Sequence, residues 1–144
     1  MTRTPKKITS VKELEGFKKS VLDEKKKNAS KKKVLLCAGA GCIASGSLRL
    51  KKALEDKIAE EKLDVEVIET GCLGPCAQGP VIVVEPDQTF YENLKPEDAS
   101  DLVNQHLRKG KPVERLMPRD VKNNKPVPKQ DQIDFFQKQT KIVL

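Results

Sequence analysis

The chain has 144 residues, of which 37% are hydrophobic and 3% aromatic, and it carries a net charge of +7. This length favours one domain, and no apolar run approaches the roughly 20 residues of a membrane-spanning helix. Short lysine runs supply much of the positive charge, but no stacking aromatics alternate with them, so nucleic acid is not an expected partner. The first residues lack the apolar core of a signal peptide, and we expect a cytoplasmic protein.

The first thirty residues form a separate segment. Residues 1–9 are expected to be a loose arm, and Ser10 with Glu13 makes a capping box that predicts a helix start. Apolar residues then recur at helical spacing to about residue 26. This pattern predicts an amphipathic helix with a thin apolar stripe, which packs on the main domain or on a partner.

Residues 31–110 alternate between strand and helix patterns. The predicted elements are a strand at Val34–Leu36, a glycine-rich loop, a helix capped by Ser45 or Ser47 and running to about 62, strands at 64–68, 81–84 and 89–91, and a helix from Pro96 to Lys109-Gly110. Pro86-Asp87 makes the last two strands a hairpin. The order is β-α-β-β-β-α, which predicts an α/β domain with one additional amino-terminal helix.

Beyond Gly110 the chain becomes polar and proline-bearing, which predicts an extended linker over 111–144. The last residues, Lys141–Leu144, are interpreted as the start of a strand that belongs to a longer chain. The predicted organisation is therefore an arm and helix (1–30), a main domain (31–110) and a tail (111–144).

The four cysteines are spaced C-x4-C, then 29 residues, then C-x3-C. Cys37 and Cys42 follow the first predicted strand, and Cys72 and Cys76 follow the second. Two strands joined by a helical crossover run parallel, so both pairs arrive at one edge of the sheet. The spacing therefore predicts that four thiols converge.

Four thiolates suit either an iron–sulfur cluster or zinc. Structural zinc sites are typically built from two tight C-x2-C pairs, whereas these pairs are looser and fit a wider two-iron cluster better. Glycines in both loops let backbone N–H groups approach sulfur; they are Gly39, Gly41, Gly71, Gly74 and Gly79. Spacing leaves three readings open, with [2Fe–2S] ahead of a zinc-stabilised interaction domain with a basic arm, and of thiol–disulfide chemistry.

Two other patterns are given less weight. Gly39-x-Gly41-x-x-Ala44 after a strand imitates a dinucleotide-binding loop, but the chain is too short for both halves of that fold. His106 is the only histidine and lies far in sequence from both cysteine loops. We interpret it as a surface or partly packed residue and not as a ligand.

Four segments together resemble the thioredoxin-like [2Fe–2S] ferredoxin family. They are Cys37-Ala-Gly-Ala-Gly-Cys42, Thr70-Gly-Cys72-Leu-Gly-Pro-Cys76, Gly79-Pro80-Val-Ile-Val-Val and Tyr91-Glu-Asn-Leu-Lys-Pro-Glu-Asp98. The resemblance covers about residues 32–109 and implies a thioredoxin-like fold with a mixed four-stranded sheet. It implies that Cys37, Cys42, Cys72 and Cys76 hold one [2Fe–2S] cluster, and that the domain carries single electrons without a catalytic site of its own. At Pro80 such folds often carry a cis proline, and the sequence leaves both isomers open.

The flanking segments resemble one branch of that family. The tail from Asp131 is similar to the junction that leads into the flavin- and NADH-binding domain of flavoprotein subunits in NAD(P)-linked, often electron-bifurcating, [FeFe]-hydrogenases and complex I-like dehydrogenases. This resemblance implies the amino-terminal domain of such a subunit, with a flavoprotein domain and other iron–sulfur subunits as partners. The glycine-rich loops for flavin and NADH are not in this sequence, so we expect neither flavin nor NAD on this fragment.

Overall fold

The computed structural model describes residues 7–27 and 31–140, and the chain divides into two compact units between residues 30 and 31. The first unit holds helix α1, Val11–Lys27. Its predicted cap forms, since the Ser10 hydroxyl accepts a hydrogen bond from the Glu13 N–H at 3.3 Å. The Glu13 carboxylate in turn accepts the N–H of Thr9 at 2.8 Å. The side chains of the apolar stripe are exposed; they are Val11, Leu14, Phe17 and Leu22.

The second unit is built on one four-stranded sheet. Its strands are β1 (Lys33–Cys37), β2 (Glu66–Thr70), β3 (Ile82–Glu85) and β4 (Thr89–Tyr91), in the order β2-β1-β3-β4. β1 runs parallel to β2, with Cys37 opposite Thr70, whereas β3 is antiparallel to both of its neighbours. The prediction of a mixed four-stranded α/β sheet is confirmed, although β2 lies two residues later than expected.

Two helices cover one face of this sheet. Helix α3 is Ser47–Glu60, and the helix that we call α4 (96–107) opens as a 3-10 turn at Pro96–Asp98, continues through Ala99–Asp101 and ends in π-helical Leu102–Leu107. The strand residues that face these helices alternate along each strand, as a pleated sheet requires. The resulting core contains Val34, Leu36, Leu50, Leu54, Ile58, Ile82, Val84, Tyr91, Ala99, Leu102, Val103 and Leu107.

The start of α3 differs from the prediction. A short helix, α2 (Ala40–Ala44), occupies the segment predicted as a loop, so the chain must turn sharply before α3. Gly46 makes that turn at φ 99° and is the N-cap of α3, with no side-chain cap. The predicted caps serve elsewhere: the Ser45 hydroxyl donates to the Gly41 carbonyl, and Ser47 is buried inside the first turn.

Through residue 140 the tail is not the extended linker that its prolines predict, and the strand start predicted at Lys141–Leu144 lies outside the described residues. It carries 3-10 turns at Glu114–Leu116 and Gln130–Gln132 and a short helix, α5 (Asp134–Gln137). Its first part enters the core through Val113, Leu116 and Met117. Three successive residues of β3 are buried: Ile82, Val83 and Val84. Because successive strand residues point to opposite faces, both faces of β3 must be covered, and α3 with α4 covers only one face. The tail supplies part of the second cover.

His106 also departs from its prediction, because its ring is 2% exposed. The Val113 N–H donates to the Tyr91 hydroxyl at 3.0 Å, so that hydroxyl has its own proton free to donate to His106 Nδ1 at 2.9 Å. This arrangement assigns the ring proton to Nε2, which lies 2.7 Å from Asp87 Oδ2. Burial disfavours the Asp87 carboxylate, but the hydrogen bonds from His106, from the Asp87 N–H and from Thr89 together lower the pKa of Asp87. His106 therefore ties the hairpin to α4.

Candidate metal centre

The parallel pairing of β1 and β2 brings the two cysteine loops to one sheet edge, as the sequence predicts. Cys37 is the last residue of β1, and its N–H donates to the Val81 carbonyl at 3.2 Å. The next residue, Ala38, donates to the Thr70 carbonyl at 3.0 Å, which ties the exit of β1 to the exit of β2. Cys42 follows on α2, so one short helix holds the second thiol of the first pair.

The second pair lies in the segment between β2 and β3. Cys72 Sγ and Cys76 Sγ are 3.7 Å apart, and both side chains are exposed, whereas Cys37 and Cys42 are buried. The segment is anchored at its far end, where Asn93 N–H donates to the Gln78 carbonyl at 2.7 Å. The Gly79–Pro80 peptide that leads into β3 is cis.

The predicted glycines differ in what they do. A Cβ on Gly39 would lie 3.2 Å from the Cys72 Cβ, one on Gly41 would lie 3.3 Å from the Cys76 Cβ, and one on Gly79 would lie 2.9 Å from the Cys42 Sγ. These three glycines therefore let the two cysteine segments approach each other. Gly74 has φ +111° and contacts the tail, and Gly71 has no atom within 4 Å of its Cβ position.

The thiols influence one another electrostatically. Burial disfavours the Cys37 thiolate, but hydrogen bonds from the N–H groups of Leu73 and Gly39 and from the thiols of Cys42 and Cys72 together lower the pKa of Cys37. Burial, followed by the neighbouring Cys37, raises the pKa of Cys42 to about 11. Contact with Cys72 raises the pKa of Cys76. Four adjacent thiols cannot all ionise without a positive group among them, and this donor set fits a thiolate-ligated metal group.

The four thiols form a chain of contacts, since Cys37 contacts both Cys42 and Cys72, and Cys72 Sγ lies 3.7 Å from Cys76 Sγ. Across residues 7–27 and 31–140, no three Cys, His, Asp or Glu side chains converge at the spacing of a single metal ion. His106 lies among residues of the helix-covered face and takes no part. Four thiolates are the donor set of a [2Fe–2S] cluster and equally of zinc.

Sequence reasoning did not foresee the apolar floor of this site or its contact with the tail. Cys37 and Cys42 share an apolar cluster with Val81, Val83 and Phe90, and four partly buried side chains pack on it: Leu35, Leu73, Ile133 and Phe136. A cavity of about 480 Å³ lies beside the second cysteine pair and is lined by Cys76, Phe90, Glu92 and tail residues. Burial raises the pKa of Glu92 in this cavity. The sequence did contain one signal. Apolar residues of β3 and β4 point to both faces of the sheet, and the predicted helices cover only one of these faces.

Comparison with known proteins identifies the family. The family model for the thioredoxin-like [2Fe–2S] ferredoxin matches residues 17–107. A 2Fe–2S ferredoxin of Aquifex aeolicus is 39% identical over 79 residues, which are 53% of this chain and 71% of that protein. A solved structure of a thioredoxin-like [2Fe–2S] ferredoxin from the same organism superposes with a TM-score of 0.56 at 35% identity, covering 61% of this chain and 90% of that one.

A further relative is a subunit of an enzyme complex. The NADP-reducing hydrogenase subunit HndB of Solidesulfovibrio fructosivorans is 25% identical over 115 residues, which are 77% of this chain and 91% of that subunit. None of the helices in the described part of the chain is long and apolar enough to span a bilayer. The sheet topology, the converging thiols and these matches lead to one conclusion: the chain belongs to the thioredoxin-like [2Fe–2S] ferredoxin family, whose cofactor is a [2Fe–2S] cluster.

Proposed function

We propose that Cys37, Cys42, Cys72 and Cys76 are the ligands of the cluster and that the domain carries single electrons. The observation that carries this proposal is the meeting of two cysteine pairs at the shared end of β1 and β2. When bound by these four thiolates, the cluster would supply one-electron chemistry.

The protein's own residues set the conditions of that chemistry. The N–H groups of Leu73, Gly39 and Val81 point to cysteine sulfurs, and such hydrogen bonds stabilise thiolate charge. The buried pair, Cys37 and Cys42, lies against an apolar floor that keeps water from one side. The exposed pair, Cys72 and Cys76, gives the opposite side direct access to a redox partner.

We further propose that this domain works inside a multi-subunit, NAD(P)-linked oxidoreductase, either a hydrogenase or a complex I-like dehydrogenase. The similarity to HndB, which extends over 91% of that hydrogenase subunit, supports this setting. The resemblance of the tail from Asp131 to a flavoprotein junction points to a flavin-bearing domain as the neighbour in the electron path. Four free thiols suit a reducing compartment, so we place the protein in the cytoplasm.

The experiment is an anaerobic visible spectrum of the freshly purified protein, with iron and sulfide counted per chain. We expect bands that bleach with dithionite and about two irons and two sulfides per chain. Serine in place of Cys42 or Cys72 keeps the side-chain volume but gives a poorer iron ligand, so each variant should change the spectrum and lose iron. A colourless protein with one zinc per chain would contradict the proposal and favour an interaction domain.

A further inference from the structure

The tail lies beyond the family match, which ends at residue 107. It contributes two aromatic rings to the cysteine site. Phe136 packs on the apolar cluster that contains Cys37 and Cys42, next to Ile133. Its ring meets that of Phe90 edge-to-face, with centroids 5.8 Å apart. Phe136 therefore covers the sheet face from which the buried thiols emerge.

Phe135 reaches the other cysteine pair. Gly74, midway between Cys72 and Cys76, has φ +111°, and a Cβ placed there would lie 2.8 Å from the Phe135 Cε1. The ring thus rests directly on the backbone of the second cysteine loop, while 45% of its surface stays exposed. Phe135 also packs edge-to-face on Phe136, with 5.1 Å between centroids. The two rings form one unit that touches both cysteine segments.

The tail is held in this position by its own contacts to the sheet. The Phe90 N–H donates to the Pro128 carbonyl at 2.8 Å, and Thr89 forms a bridge with Lys129. A 3-10 turn at Gln130–Gln132 then leads into α5, whose first turn is closed by Phe136 N–H to the Ile133 carbonyl at 2.9 Å. These backbone hydrogen bonds hold the two rings in place without any contribution from the cysteine loops. The rings can therefore restrict the position of those loops.

We propose that Phe135 and Phe136 are positioning residues of the cluster site: they hold the Cys72–Cys76 loop in place and exclude water from the Cys37–Cys42 side. This inference rests on the proposed function of the four cysteines as cluster ligands. It assigns a role to a segment that the ferredoxin match does not include, and it extends the electron-carrying unit beyond residue 110 to at least Phe136.

The electrostatic consequence has a definite sign. An added electron is an added negative charge, and an apolar wall raises the free-energy cost of such a charge relative to water. Alanine at either position admits water beside the thiolates, so we expect the midpoint potential to shift in the positive direction. A loosened loop should also release iron to a chelator several-fold faster.

The test compares F135A and F136A with F136L, which restores an apolar side chain, and with F17A, which removes an exposed Phe from α1. Three readouts are taken: the midpoint potential, the rate of iron loss to a chelator, and the maleimide labelling rate of Cys37 and Cys42 in cluster-free protein, mapped by mass spectrometry. We expect both alanine variants to change the first two readouts, F136A to label several-fold faster, F136L to restore most of the effect, and F17A to match the wild type. Circular dichroism confirms that each variant is folded.

The outcomes separate this inference from the proposed function. If the wild type holds the cluster and neither alanine variant changes potential or iron loss, the inference is overturned and the proposed function stands. If the wild type holds no cluster, the proposed function fails, and equal labelling of wild type and F136A then overturns the inference as well. An effect of F17A as large as that of F136A would also overturn it, because the change would not be specific to the tail.

Discussion

At the cysteine site, the absence of a Cβ on Gly79 allows the second cysteine segment to approach Cys42 closely. Gly79 has φ −69°, a conformation that alanine adopts readily, so replacing it introduces no backbone strain. The added Cβ would nevertheless lie 2.9 Å from the Cys42 Sγ and 3.3 Å from the Cys76 carbonyl oxygen. Gly79→Ala must therefore displace a thiol that we propose as a ligand, and we expect less iron per chain and an altered visible spectrum.

Gly71→Ala is the matched control for this prediction. It changes the same residue type in the same loop, one position before Cys72, where a Cβ would meet no atom within 4 Å. We expect iron content and spectrum as in the wild type. Equal iron loss in both variants, or full iron in Gly79→Ala, would show that close approach at Gly79 is not what the site needs.

The comparison of these two glycines shows what the sequence could predict. All four cysteines were placed together from spacing and the parallel crossover alone, because topology fixes the ends of β1 and β2. From sequence alone Gly71 and Gly79 are indistinguishable as loop glycines near sulfur, because close approach depends on the path of two distant segments. His106 was misjudged for a similar reason, because its two hydrogen-bond partners come from the hairpin and were not visible from α4 itself.

At the level of elements, the hairpin, α4 and the tail meet at Tyr91. Its hydroxyl accepts the Val113 N–H and donates to His106, and the side chain is fully buried. Burial raises the pKa of Tyr91 to about 12 from an ordinary value of 10. Because the folded pKa is the higher one, this contribution to stability is complete below pH 10 and is lost as the pH rises toward 12.

We predict that the protein loses folding free energy at alkaline pH because Tyr91 ionises. A shift of two pKa units corresponds to roughly 2–3 kcal/mol between pH 10 and 12. Tyr91 is the only tyrosine and the chain has no tryptophan, so in cluster-free protein the tyrosinate absorption band reports this residue alone. Urea unfolding at a series of pH values measures the loss of folding free energy. The tyrosinate absorption, recorded at the same pH values, measures the pKa of Tyr91.

Tyr91→Phe is the control. It keeps the ring but leaves the Val113 N–H and His106 Nδ1 without a partner, so we expect about 1–3 kcal/mol lower stability at neutral pH. Its stability should then fall less between pH 10 and 12 than that of the wild type. Tyrosinate formation centred near pH 10 in the folded protein would contradict the buried hydrogen-bonded position.

Elements with strong local patterns were predicted, and those that depend on distant partners were not. The sheet, α3 and the start of α4 follow from apolar periodicity and from Pro96. The tail was expected to be extended because prolines and polar residues dominate it, yet Val113, Leu116 and Met117 are buried. Its conformation depends on the core under α3 and α4 and on the edge of β4, where the Phe90 N–H donates to the Pro128 carbonyl. The local sequence carries little trace of either surface.

Over the whole molecule, positive charge is concentrated in the first unit. Residues 1–30 contain nine Lys and Arg against four Asp and Glu, which is five of the seven net positive charges. The same unit carries the exposed apolar stripe of α1, whereas residues 31–144 form a compact unit with their own core. A 17-residue helix by itself is marginal in water, so we expect the apolar stripe of α1 to pack either on the second unit or on a partner.

Removing residues 1–30 tests this division directly. Since the core and the cysteine site lie within the second unit, a chain that begins at Lys31 should keep the spectrum, the iron content and the unfolding midpoint of the full chain. A chain that ends at Lys129 instead removes Phe135 and Phe136, and we expect it to lose iron faster. Visible spectra and thermal unfolding of both chains provide the comparison. A marked fall in the midpoint on removing residues 1–30 would show that α1 stabilises the cluster unit itself, and the partner for its apolar stripe would then lie within this chain.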